Sequence, residues 1–107
     1  MPLTIIARQH IFDAIDAERD RQDRLHPGTS QIPDGTGGGG RKTWETIARI
    51  SYERAKREGR LTHAHVFDEE TAEVLAETDP VKLRTELVQV AAVAVKWIEE
   101  IDRREGR

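Results

Sequence analysis

Three glutamates, Glu69, Glu70 and Glu73, fall within five positions of the segment FDEETAEVLAETDPVKLRTELVQVAAVAV, and a fourth, Glu86, opens a more apolar run. On a helix each residue advances about 100°, so Glu70 and Glu73 stand about 60° apart on neighbouring turns. Glu70 follows Phe67 by three and precedes Val74 by four, which projects it from within an apolar stripe. Glu73 sits at the edge of that stripe and Glu69 lies further toward the polar side. Glu86 shares its helical face with Val90, Val93 and Trp97, and Gln89 is a lone polar group in an otherwise apolar stretch. An unpaired buried carboxylate is costly enough to take up a proton. Two helices meeting across these faces could instead gather Glu70, Glu73 and Glu86 around a divalent cation. Mg2+ is a hard ion that takes a few carboxylates, several waters and substrate phosphate oxygens. A solvated helix face accounts for any one of these glutamates, because glutamate is a good helix former. Metal ligation accounts better for four polar groups on two apolar stripes.

The elements that must position these groups read as four helices. The first runs from about Thr4 to Leu25, with Ile5, Ile6, Phe12 and Ile15 at roughly helical spacing. A Gly-rich loop at about 26–42 follows, and its run Gly37 to Gly40 does not hold regular structure cheaply. The second helix is predicted from Trp44 to about Glu58, stopped at Gly59. A third begins after Thr62, carries Val66, Phe67, Val74 and Leu75 as its stripe, and ends before ETDP. Asp79 reads as the N-cap of the last helix and Pro80 as its first residue. That helix carries Leu83, Leu87, Val88, Val90, Val93, Val95, Trp97, Ile98 and Ile101, apolar nearly all round as if covered on several sides. The fold class is all-α, with the 107 residues forming a single domain.

Composition narrows the chemistry. The chain is 36% hydrophobic and 35% charged with 5% aromatic residues, which suits a modest helical core completed by a partner subunit. A net charge of -3 disfavours phosphate-backbone binding, so no nucleic-acid partner is expected. With no cysteine, metal ligands must be oxygen or imidazole. No run reaches the ~18 apolar residues of a membrane span, and the amino terminus is too short in apolar length for a secretory signal. The expectation is a cytoplasmic protein.

Other motifs carry less. GTGGGGRKT lacks the glycine–lysine order of a P-loop and no strand precedes it, so a mobile lid or plain connector is the reading. His63 and His65, two apart, share no helix face and do not suggest a histidine metal pair. Trp97 is read as core, whereas Trp44 could stack on a base.

EETAE, followed twelve residues later by ELVQ, resembles the E-E-x-x-E and E-x-x-D signature of the all-α nucleoside triphosphate pyrophosphohydrolases, the MazG-like superfamily. ERDRQDRLHPGTSQIPDGTG and LRTELVQVAAVAVKWIEEIDRR look like phage and actinobacterial members, which for a phage protein would mean the host cytoplasm. The resemblance implies a four-helix, bundle-like MazG-type fold completed by oligomerisation as a homodimer or homotetramer. It implies Mg2+-dependent cleavage of a nucleoside triphosphate to monophosphate and pyrophosphate, with Mn2+ as a substitute ion. By the same resemblance Glu70, Glu73 and Glu86 are metal ligands, joined by Gln89 where the family carries an aspartate. Glu69 and Glu70 are the catalytic carboxylates, Glu69 orienting or deprotonating the attacking water. Arg19, Gln22, Lys42 and Arg84 are candidate substrate contacts. Because a neutral amide binds Mg2+ more weakly than a carboxylate, Gln89 keeps an alternative open: a non-catalytic helical module that oligomerises or binds a nucleotide.

Overall fold

The computed structural model describes residues 3–28 and 32–106, with side chains from Ile6 onward. Those residues form four helices: α1 (Leu3–Leu25), α2 (Arg41–Arg57), α3 (His63–Ala76) and α4 (Pro80–Arg104). No strand occurs among the described residues, and the all-α class holds. No helix among them is long and apolar enough to cross a membrane.

Local chemistry explains most helix ends. Glu58 caps α2, and the following amides close a Schellman arrangement, Gly59 N–H to the Lys56 carbonyl (3.2 Å) and Arg60 N–H to that of Ala55 (2.9 Å). Gly59 takes the left-handed conformation this requires, at φ 70°. Thr62 opens α3 with a reciprocal capping box: its hydroxyl accepts the His65 N–H, and its own N–H donates to His65 Nδ1. At the start of α4, Asp79 Oδ1 accepts the Val81 N–H at 3.3 Å, with Pro80 as the first helical residue as expected. The second helix departs from expectation by one turn, beginning at Arg41 directly after Gly40 rather than at Trp44.

The residues cluster into two compact units, Met1–Asp34 with Ile98–Arg107, and Gly35–Trp97. In the first, α1 buries Ile11, while Ile6, Phe12 and Ile15 are exposed. The stripe expected on α1 is therefore displaced: Phe12 faces solvent and its neighbour Ile11 takes the inner position. The Ile5 side chain lies outside the described residues. Arg8 pairs with Glu99 at 3.2 Å in this unit.

The second unit is built on small residues. α2 and α3 pack together, and Ala48, Ala55, Ala72 and Ala76 are all buried. Alanines let two backbones approach closely, although each contributes little apolar area. α4 joins through its aromatic end, where Trp97 stacks on His63 (ring centroids 5.8 Å, 17°) and meets Phe67 edge-on at 6.0 Å. Leu83 and Val95 are buried, and Val90 and Val93 are half-buried. Leu87 and Val88 are exposed at 47% and 56%, so α4 is not covered all round within one chain.

The glycine segment makes one backbone bond to α3. Gly37 N–H donates to the Leu75 carbonyl at 2.8 Å, satisfying one of the carbonyls that the last turn of α3 leaves free.

Candidate metal centre

Within the second unit α3 presents a row of glutamates between its two packed sides. The alanines Ala72 and Ala76 mark the buried side shared with α2, and His63 and Phe67 mark the side touching Trp97 of α4. Glu69, Glu70, Glu73 and Glu77 are all half-buried, as are Glu86 on α4 and Glu45 on α2. Half-buried carboxylates thus lie on three helices of this unit.

Their electrostatics follow. Burial pushes the Glu69 carboxyl up to about 7, assisted by the charge of Glu73, a hydrogen bond with Glu73, and the charges of Glu70 and Glu53. Burial, then the Glu73 charge, raises Glu70. Glu86 is raised by burial and then by Glu77, Glu73, Glu45 and Glu70, in that order. Most telling are two oxygens: Glu70 Oε2 and Glu86 Oε2 are each buried without a hydrogen-bond partner. Such groups are rare in native proteins and call for a partner, commonly water or an ion.

In type the donors suit a hard divalent cation, being carboxylate oxygens with free lone pairs in a region of concentrated negative charge. In position, no group of three acidic or histidine side chains among the described residues is gathered closely enough to hold a metal ion. The fit is thus one of donor chemistry.

The other expected site residues are distributed as follows. Gln89 is exposed, although Glu86 one turn earlier is half-buried. Lys42 and Arg84 are exposed in the same unit as the glutamates. Arg19 and Gln22 belong to the other unit, where Arg19 pairs with Asp23 at 2.9 Å and donates to Gln22 at 3.3 Å. There they border a cleft of about 460 Å3 floored by Ile11, Ala14, Ile15 and Ile98, which contains none of the clustered glutamates. Two of the histidines are otherwise engaged, His65 in the α3 cap and His63 on Trp97.

Sequence reasoning placed Glu69 toward the polar side of its helix, and it is half-buried because α3 is packed on two sides. It also passed over Glu45, Glu53 and Glu77. A signal for Glu45 existed: it precedes Ala48, Tyr52 and Ala55 at helical spacing, along the row that faces inward. Comparison of the chain with protein-family models, with curated proteins and with solved structures finds no match.

Proposed function

We propose that the chain is a divalent-cation-dependent pyrophosphohydrolase of the MazG-like type, cleaving nucleoside triphosphates to monophosphate and pyrophosphate. The observation that carries this reading is the pair of buried, unpartnered oxygens, Glu70 Oε2 on α3 and Glu86 Oε2 on α4. Two carboxylates whose buried oxygens are left without donors would be stabilised by a bound cation.

A bound Mg2+ or Mn2+ would polarise the phosphoryl oxygens of the substrate. Glu70, Glu73 and Glu86 would hold the ion. Glu69, pushed up to about 7 by burial first and then by its neighbour Glu73, is matched to taking a proton from an attacking water near neutral pH. Lys42 and Arg84 offer charge to the triphosphate from the exposed surface of the same unit. Release of pyrophosphate from a panel of common and modified nucleotides, with Mg2+, with Mn2+ and with chelator, tests the reading. Cation-dependent release from at least one nucleotide supports it.

A second reading, a non-catalytic helical module that binds nucleotide or oligomerises, draws on the exposure of Gln89 where the family carries its last aspartate. Nucleotide binding without turnover would favour it. Under either reading the exposed apolar residues of α1 and α4 suit assembly into a homodimer or homotetramer.

A further inference from the structure

The net charge of -3 conceals an uneven distribution. On α2 the six cations Arg41, Lys42, Arg49, Arg54, Lys56 and Arg57 stand against two acids, Glu45 and Glu53, a net charge of +4 that leaves -7 on the rest of the chain. Several arginines elsewhere are paired: Arg8 with Glu99, Arg19 with Asp23, Arg21 with Glu18 and Arg103 with Glu100. Those of α2 are not. Arg41, Lys42, Arg49, Arg54 and Arg57 form no ion pair among the described residues, although α3, packed beside them, carries Asp68, Glu69, Glu70 and Glu73. Helix stability does not account for Arg41 and Lys42, which lie in the first turn, where the helix dipole disfavours cations.

The same helix has an outward row. Ala48 and Ala55 mark its buried side. Thr43, Ile47, Ile50, Arg54 and Arg57, spaced by four and three in turn, share another face, and all five are exposed. Ile47 and Ile50 are 51% and 54% exposed, and Trp44, one turn before Ile47, is 46% exposed. Both acids of α2 lie off this row, and Glu45 is half-buried.

We infer that this face of α2 binds the surface of an anionic membrane, with Trp44, Ile47 and Ile50 entering the headgroup boundary and Arg54 and Arg57 meeting lipid phosphates. Apolar side chains beside unpaired arginines on one helix face are the combination that a lipid interface takes up. Nucleic acid would use the cations but leave the two isoleucines in water. An acidic helix would need a groove to lie in, and Trp44, Ile47 and Ile50 follow one another at steps of three as a ridge instead. The contact is with the surface, since no helix among the described residues is long and apolar enough to cross a membrane. It does not depend on the cation reading of the glutamates.

The test uses the full chain with vesicles of phosphatidylcholine alone and of an equal mixture with phosphatidylglycerol, read by co-sedimentation and tryptophan emission. Wild type should bind the anionic vesicles at least about ten-fold more tightly than the neutral ones, and added salt should weaken the binding. Its emission should shift to the blue on binding, and Trp44→Phe should remove that shift. Arg54→Gln/Arg57→Gln should weaken binding about 25-fold, about five-fold for each basic residue. Arg21→Gln/Arg103→Gln, which removes the same charge from paired arginines, should stay within about two-fold of wild type. Ile47→Ser/Ile50→Ser should weaken binding about ten-fold, because the apolar contact is lost. No binding, equal binding to both vesicles, or equal loss in the two arginine pairs would overturn the inference. So would an isoleucine pair that binds like wild type, which would leave a purely electrostatic surface suited to nucleic acid. A blue shift that appears without vesicles as protein concentration rises would overturn it as well, and assign the face to a second copy of the chain.

Discussion

Replacing Glu70 by glutamine removes the charge of a half-buried carboxylate whose Oε2 has no donor. The variant should therefore be more stable than wild type in the absence of divalent ions, by about 1 kcal/mol, while losing cation-dependent hydrolysis. Urea denaturation with chelator checks the first part and pyrophosphate release the second. Loss of stability together with full activity would contradict both. The raised carboxyl of Glu69 gives a pH dependence of defined sign. A folded-state value of about 7 lies above the ordinary carboxylate range, so the native state binds the proton more tightly than the unfolded chain. Stability should be greatest below the ordinary value near 4.5, fall as pH rises toward about 7, and level off above it. Melting temperature measured from pH 4.5 to 8 should follow this course, with a shallower slope in Glu69→Gln. At this scale the half-burial of Glu70, Glu73 and Glu86 was legible because each lies on or beside the apolar stripe of its own helix. The environment of Glu69 was not, since a wheel drawn for one helix cannot reveal that a second neighbour covers its other side.

The helix ends are where sequence was most informative, because their chemistry is local. Gly59, Thr62 and the Asp79–Pro80 pair all act within a few residues of themselves. Each yields a stability prediction: Gly59→Ala, at φ 70°, and Thr62→Ala, which loses the capping hydroxyl, should each cost about 1 kcal/mol in denaturant unfolding. A neutral result for Thr62→Ala would mean the capping box contributes nothing to α3. The bond of Gly37 to the Leu75 carbonyl and its approach to Thr78 join segments far apart along the chain, and no local pattern announces them. For α4, hydrophobicity marked the helix itself. It did not distinguish Leu87 and Val88, exposed in the single chain, from Leu83 and Val95, which the chain buries.

As a whole the molecule carries little core for its length: its buried apolar residues are Ile11, four alanines, Val74, Leu83 and Val95 among those described. Large side chains remain exposed on three helices, including Phe12 on α1, Ile47 and Ile50 on α2, and Leu87 and Val88 on α4. Small domains that cannot bury enough surface alone commonly complete themselves by association. Sedimentation at micromolar concentration should therefore detect a homodimer or larger assembly, and an interface on the order of 1,000 Å2 or more would sustain it. A strictly monomeric protein would contradict this. The central claim, that the glutamates of α3 and α4 form a cation site for triphosphate hydrolysis, meets its most direct test in one assay: pyrophosphate release by wild type and Glu86→Gln, with Mg2+ and with chelator, across a nucleotide panel. Wild type should release pyrophosphate only with the divalent ion, and Glu86→Gln should lose at least about a hundred-fold in rate, as expected when a group acting in the transition state is removed. Release that persists in chelator, or a Glu86→Gln variant as fast as wild type, would contradict it.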